Sequence, residues 1–193
     1  MTGIFTSLMA FIQKISRTPA NYWGEFIIDI PLAIFLFYEG LHLGNITPAA
    51  VLLTTLAGLL FFSLLEYIVH RRVFHGSIMF IVKSHQLHHE IPLGYDGVPF
   101  FLPALLLTLL IGLFSLFLPL NYALLLAAAI DCGYVCYGLG HFLIHHHHFR
   151  NRLAQRWASH HLIHHFHPDT NFGVTTPLWD KLLLTQYIHP RKT

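Results

Sequence analysis

The chain is poor in charged residues. Asp, Glu, Lys and Arg make up only 10% of its 193 residues, whereas 54% are hydrophobic. A soluble domain carries about 25% charged residues, so the composition argues against an ordinary cytosolic enzyme, and its apolar content excludes a disordered chain. The formal net charge of +2 is too small to indicate a nucleic-acid partner. Two cysteines cannot form a disulfide scaffold, and no Gly-rich dinucleotide fingerprint or iron–sulfur cysteine pattern is present.

The chain contains long apolar segments. A bilayer core about 30 Å thick requires roughly 20 apolar residues per spanning helix, and four segments approach that length: 26–43, 49–69, 101–118 and 122–144. The first is the weakest, because it contains Asp29, Pro31 and Glu39. Short turn-like links join the segments in pairs. We therefore predict an all-α polytopic membrane protein of a single domain, 1–193, with four transmembrane helices in two hairpins.

The basic residues fall on one side of these segments. They precede the first segment, follow the second or follow the fourth, and neither short link contains one. The positive-inside rule then places both termini in the cytoplasm, together with a His-rich helical cap formed by 70–100 and 145–193. Residues 1–25 begin apolar and turn basic late, the reverse of a signal peptide, which favours a helix lying in the membrane interface.

Histidine is the residue that the chain has in excess, with 17 copies. All but His42 lie at or beyond the predicted cytoplasmic ends of the second and fourth spans. Ten of them form four clusters: His70 and His75; His85, His88 and His89; His141 and His145; and His161, His164 and His165. Residues three and four apart share one face of an α-helix, so three clusters present their imidazoles together. His70 and His75, five apart, would diverge on a regular helix, so we predict a bend there.

These ten imidazoles are more than one metal ion can use. Two ions with about five nitrogens each are the natural stoichiometry. Imidazole suits iron, zinc, copper and nickel, whereas calcium and magnesium prefer oxygen ligands. A hydrolytic zinc site typically uses three protein ligands, so we expect two redox-active irons, although zinc could replace them in recombinant protein.

Other histidines are given smaller roles. His160 is an alternative to His161, because it also lies four residues before His164. The run His146–His148 is interpreted as solvated or as lying outside the ligand sphere. His42 and His189 are interpreted as ordinary polar residues at the membrane edge.

Two further acids and two cysteines lie within the second and fourth predicted spans. Glu66, one turn before His70, could orient that ring by a hydrogen bond or be an interfacial carboxyl. Asp131 is expected to make a polar contact with a neighbouring span, without a catalytic role. Cys132 and Cys136 are expected to be small buried hydrophobic residues.

Four stretches carry a family resemblance: EYIVHRRVFH at 66–75, SHQLHHEIPLGYDGVPFFLPA at 84–104, GYVCYGLGHFLIHH at 133–146, and HLIHHFHPDTNFGVTTPLWDKLLLT at 161–185. In them the chain resembles the fatty acid hydroxylase superfamily of membrane di-metal oxygenases. The closest likeness within it is to the fatty acid 2-hydroxylases, which act on sphingolipid acyl chains. The stretch Gly173–Asp180 favours this branch over desaturases and carotenoid hydroxylases.

The resemblance implies a four-span enzyme that uses O₂ to replace a C2–H bond of a lipid acyl chain with hydroxyl, without a separate general base. Its metal ligands transfer to the same ten histidines. Many relatives carry a fused b-type cytochrome, but only about 25 residues precede the first span here. We therefore expect electrons from a separate b-type cytochrome, ferredoxin or reductase, and the small size favours a bacterial inner membrane over the endoplasmic reticulum.

Two other functions stay open. A desaturase, or a sterol or carotenoid oxygenase, could use the same centre. A metal-transport or metal-sensing protein, with a bis-His transmembrane cytochrome as a variant, is disfavoured because the histidines lie on one side and not along the depth of the spans.

Overall fold

A computed structural model describes residues 2–189; Arg191 and Lys192, two of the basic residues of the predicted cap, lie outside the described residues. Helices account for all the regular structure in 2–189, and no β-strand occurs there. The helices are α1 (Thr2–Ser16), α2 (Pro19–His42), α3 (Pro48–Val69), α4 (Met79–Glu90), α5 (Leu102–Ser115), α6 (Leu120–His146), α7 (Arg152–Phe166) and α8 (Leu178–Leu182). The predicted all-α class is confirmed.

Local sequence explains where several helices begin. The Thr18 side chain accepts a hydrogen bond from the Asn21 backbone N–H at 3.2 Å, and Pro19 occupies the first turn of α2, a position where its missing N–H costs nothing. This cap starts α2 well before residue 26, where the span was predicted to begin. Asn151 caps α7 in the same way, at 2.7 Å from the Leu153 N–H.

Two helices are long and apolar enough to cross a bilayer: Pro48–Phe74, which includes the π-helical extension of α3, and Leu120–His146. They support a membrane protein. Helix α5 has only 14 residues, about 21 Å of helix, because the chain leaves the helix at Leu116. It is therefore shorter than the predicted span 101–118, and the arrangement of four spans with a cytoplasmic cap stays a prediction.

The described residues pack into two compact units, each assembled from two stretches of chain. The first unit comprises the chain up to Phe62 together with Gly94–Cys136, and the second comprises Ser63–Leu93 together with the chain from Tyr137. The boundary falls within α3 and α6. All ten predicted metal ligands belong to the second unit, so the site can be described within it.

Small residues allow close helix packing in the first unit. A Cβ added to Gly58 of α3 would lie 2.6 Å from the Cβ of Ala129 on α6, and one added to Gly40 of α2 would lie 2.7 Å from Leu125. Helices in membranes commonly approach through such positions. The same unit contains a hydrogen bond from the Tyr134 hydroxyl to the Glu25 carboxyl at 2.6 Å.

Two sequence expectations for α6 meet different outcomes in this unit. Asp131 is buried, and its carboxyl interacts electrostatically with that of Asp29 on α2, so its polar neighbour on another predicted span is a second acid. Cys132 and Cys136 are exposed, so the prediction that they are buried is wrong. One turn apart, they share the outward face of α6, while Asp131 and Gly133 face inward.

Candidate metal centre

The ten clustered histidines form two groups of five. Within each group, one ring nitrogen from every residue lies within 4.8 Å of the others. The first, called the His70 group, contains His70, His75, His85, His89 and His164; the second, called the His141 group, contains His88, His141, His145, His161 and His165. That they bind ions stays a prediction, but the structure brings all ten together in the stoichiometry expected.

The two His-x-x-His-His motifs each contribute to both groups. On α4, His85 and His89 belong to the His70 group, while His88 belongs to the His141 group. On α7 the assignment is reversed, with His161 and His165 in the His141 group and His164 in the His70 group. In each motif, the two histidines that lie four residues apart point in one direction and the histidine between them points in another. Each helix therefore contributes side chains to both groups.

A π-helical turn joins His70 and His75. Residues His70–Phe74 are π-helical, and the His75 N–H donates to the His70 carbonyl at 3.2 Å. This five-residue period places the two rings 5.2 Å apart, where a regular helix would separate them. The sequence predicted a bend, and the structure shows a π-turn instead, a feature common at functional sites. Gly76 permits it, because a Cβ there would lie 2.0 Å from the Arg72 carbonyl oxygen.

One nitrogen lies at the centre of each group. Nε2 of His85 lies 3.1, 3.0 and 3.0 Å from Nε2 of His70, His75 and His89. Nε2 of His161 lies 3.0, 3.2 and 3.1 Å from Nε2 of His141, His145 and His165. Metal–nitrogen bonds of about 2.1 Å at right angles would place two ligands about 3.0 Å apart. The spacing therefore fits ligands around a single ion.

The direction of the ring protons also favours an ion. Nδ1 of His70 donates to the Phe172 carbonyl at 2.6 Å, and Nδ1 of His164 donates to the Thr170 carbonyl at 2.7 Å. A neutral imidazole carries one N–H, so both rings direct an Nε2 lone pair into the His70 group. These two Nε2 lone pairs are therefore available to bind a cation.

The His141 group has unsatisfied buried nitrogens. Both ring nitrogens of His88 and Nδ1 of His161 are buried without a hydrogen-bond partner, and buried polar atoms are rarely left so. A metal ion would satisfy a ring nitrogen of His88. Together with the all-imidazole donor set, this shows that the residues fit a first-row transition metal.

Burial keeps these rings in the neutral form that binds metals. Burial lowers the pKa of His75 to about 4, with a further contribution from His89. Burial likewise lowers the pKa values of His164 and His165 to about 3, and those of His85 and His88 fall further still. The imidazoles are therefore uncharged at neutral pH, so no proton has to be displaced when an ion binds.

Glu66 supports the site in a different way from the predicted one. Its carboxylate accepts hydrogen bonds from the Val174 and Thr175 backbone N–H groups and from the Thr175 hydroxyl, whereas His70 is oriented by the Phe172 carbonyl. Glu66 therefore holds the loop that carries the His70 anchor. A direct Glu66–His70 hydrogen bond is not the arrangement seen.

Asp180 holds the other side of the same loop. It accepts hydrogen bonds from the Phe172 and Gly173 N–H groups, each at 2.8 Å, and from His160 Nε2 at 2.9 Å. Burial raises the pKa of this carboxyl, but the hydrogen bonds from His160 and its other donors outweigh burial and lower it. Because His160 binds Asp180, His161 and not His160 occupies the His141 group.

The chain matches the family model of the fatty acid hydroxylases over residues 55–185. This chain belongs to the fatty acid hydroxylase family. It is 29% identical to the fatty acid 2-hydroxylase of Macaca fascicularis over 88% of this chain and 53% of that protein. It is also 29% identical to the dihydroceramide fatty acyl 2-hydroxylase FAH2 of Arabidopsis thaliana, over 91% of this chain and 76% of that one.

A solved structure shares the fatty acid hydroxylase fold. It is full-length scs7p, in which only the hydroxylase domain is visible, with a TM-score of 0.77 and 25% identity over 92% of this chain and 70% of that chain. Our chain spans about half the length of the first curated relatives, 53% and 56% of the Macaca fascicularis and Mus musculus proteins.

The remaining histidines of the chain lie outside both groups. The His42 ring donates to the Tyr38 carbonyl at 2.8 Å, His146 stacks on Phe142 with ring centroids 4.0 Å apart, and His189 contacts the Tyr187 ring. Sequence reasoning missed Asp180 and the two carbonyl anchors. The position of Asp180 at the end of the Gly173–Asp180 stretch was a usable signal for it, whereas a backbone carbonyl leaves no signal in a sequence.

Proposed function

We propose that this chain hydroxylates the acyl chain of a membrane lipid at C2, using O₂ and two metal ions. The observation that carries the proposal is the pair of five-imidazole groups, with Nε2 atoms 3.0–3.2 Å apart around His85 and His161, in a chain of the fatty acid hydroxylase family. The names of its relatives support an acyl chain carried by ceramide or dihydroceramide.

The His70 group would hold one ion and the His141 group the other. When bound, two redox-active irons supply the O₂ chemistry; zinc would occupy the same nitrogens without redox activity. The protein contributes ring orientation, since the Phe172 and Thr170 carbonyls fix His70 and His164. No acid or cysteine of residues 2–189 joins either group.

The membrane arrangement belongs to the same proposal. The spans would be 26–43, 49–69, 101–118 and 122–144, with 1–25 as an interfacial segment and the rest as a cytoplasmic cap of one domain. Two long apolar helices and the one-sided basic residues support it. The named relatives come from mammals, a plant and yeasts, which lends no support to the expected bacterial inner membrane.

The reaction also needs a reductant. Inserting one atom of O₂ into a C–H bond and releasing the other as water consumes two electrons and two protons from outside the substrate. We expect a b-type cytochrome, a ferredoxin or a reductase to deliver these electrons.

Lipid mass spectrometry tests the function. Expression in a host that makes ceramides should add 2-hydroxy acyl products, and His88→Ala should remove them. His42→Ala, outside both groups, is the matched control and should leave the products unchanged. Equal product from His88→Ala would contradict the assignment, and new double bonds or modified isoprenoids would instead identify a desaturase or a sterol or carotenoid oxygenase.

A further inference from the structure

The second unit carries an open groove of about 620 Å³ along α7. Arg152, Arg156 and His160 line it from successive turns of the helix. At 100° per residue, Arg152 and Arg156 project from the side of α7 away from His161, His164 and His165, and His160 lies between the two sides. One helix therefore presents candidate metal ligands on one face and this groove on the other.

The groove is electropositive. Arg152 and Arg156 are exposed, and neither pairs with an acidic side chain of residues 2–189. No described Asp or Glu lines the groove, whose other walls include Gln155, Asn171 and His189. Two exposed guanidinium groups suit the carboxylates of an acidic partner.

The base of the groove connects to both groups of histidines. His160 is the backbone neighbour of His161 in the His141 group. The Asn171 side chain donates to the His160 carbonyl at 2.9 Å, and the next residue, Phe172, accepts the hydrogen bond from His70 in the other group. A short path of covalent and hydrogen bonds thus leads from the groove to each candidate ion.

We propose that this groove is the docking site of an acidic electron-donor protein. The inference rests on the proposed function, since only a redox enzyme needs a donor. Two one-electron deliveries, with two protons, would convert O₂ and the acyl C–H into C–OH and water. Electron-transfer encounters have small interfaces and are steered by charge, which an exposed groove with two arginines suits. An anionic lipid headgroup would also suit the charge but would not account for the path to the ligands.

Charge-reversal variants distinguish an acidic donor protein from an anionic lipid headgroup as the occupant of the groove. The double variant Arg152→Glu/Arg156→Glu is compared with Lys83→Glu/Lys181→Glu, which changes the net charge equally at exposed positions outside the groove. The probes are the soluble haem domain of a b-type cytochrome with negative net charge, a plant-type ferredoxin, and vesicles containing phosphatidylserine. Binding is measured at low and high salt on zinc-loaded protein, which requires no turnover.

We expect the arginine variant to bind at least one of the two donor proteins about tenfold or more weakly, and the lysine variant to bind within about twofold of the native protein. Hydroxylation driven by that donor should fall in parallel. Dye-driven product, formed when protein reduced through a mediator dye is freed of excess reductant and then exposed to O₂, should not fall. The proposal would be overturned by any of three results. The two variants could lose donor binding equally, the native protein could bind neither donor, or the arginine variant could lose only vesicle binding. Native protein that binds a donor yet gives no dye-driven product would overturn the function and not the docking site.

Discussion

The His70 and His141 groups have the same composition but are held differently. Each takes two rings from the end of a long helix, two from one His-x-x-His-His motif and one from the other. In the His70 group, two rings are fixed by backbone carbonyls through Nδ1. In the His141 group, three ring nitrogens of His88 and His161 are buried without a partner.

The difference suggests that the two groups bind their ions with different affinities. Carbonyl anchors set ring orientation before any ion arrives, and partners of this kind typically change metal affinity by 10–100-fold. The rings of His88 and His161 lack such anchors, and an ion would satisfy only one ring nitrogen of His88. We therefore expect the His70 group to bind its ion more tightly and to be sensitive to changes in the loop that anchors it.

Removing the central ring of either group should have the largest effect. His85→Ala and His161→Ala each delete the nitrogen that contacts three others, so each variant should retain one ion in place of two and show background hydroxylation. Metal analysis of purified protein and lipid mass spectrometry measure the two outcomes. His189→Ala is the control, and a full complement of ions in either variant would contradict the grouping.

Asp180→Asn should selectively weaken the His70 group. The amide keeps one acceptor oxygen but loses the negative charge and the other acceptor, so it cannot accept hydrogen bonds from both the Phe172 and the Gly173 N–H groups. Charge-assisted hydrogen bonds are worth about 1.5–3 kcal/mol each, and the loop whose carbonyl orients His70 is therefore held less firmly. Competition with a chelator should show roughly 10–100-fold weaker binding of one ion and a lower Tm. If the binding of both ions weakens equally, the loop does not support the His70 group in particular.

A smaller loss is expected from Gly76→Ala. The added Cβ would meet the Arg72 carbonyl, so the π-turn must shift and His70 and His75 move apart. Gly112→Ala is the matched control, because no atom lies within 4 Å of its added Cβ. We expect the Tm of the metal-loaded protein to fall for Gly76→Ala and not for Gly112→Ala, and similar melting curves would show that the turn tolerates a side chain.

Mild acid should also destabilise the fold, and the effect is best seen in ion-free protein. Folding lowers the pKa of His75 to about 4 and those of His164 and His165 to about 3, whereas an unfolded histidine titrates near 6.5. Between these values the unfolded chain binds more protons, so stability is complete above about pH 6.5 and declines as the pH falls. Thermal melts from pH 7.5 to 5 should show a falling Tm, and a rising Tm would contradict neutral buried rings.

Much of the site was predictable because its signal is local. The spacing of His85, His88 and His89 on one helix requires only helical periodicity, as does that of His141 and His145. The division of each motif between two groups was not predictable, because it depends on how α4 and α7 pack. The π-turn at His70 was not predictable either, because it depends on the close packing at Gly76. The early start of α2, by contrast, had a local signal in Thr18 and Pro19.

The central claim is that two ions lie in this chain, one inside each group of five imidazoles. Crystals of metal-loaded protein, with diffraction recorded at the absorption edge of the bound metal, test it most directly. The account predicts two anomalous peaks per chain, one bonded to Nε2 of His85 and the other to Nε2 of His161. A single peak, or peaks away from these rings, would contradict it.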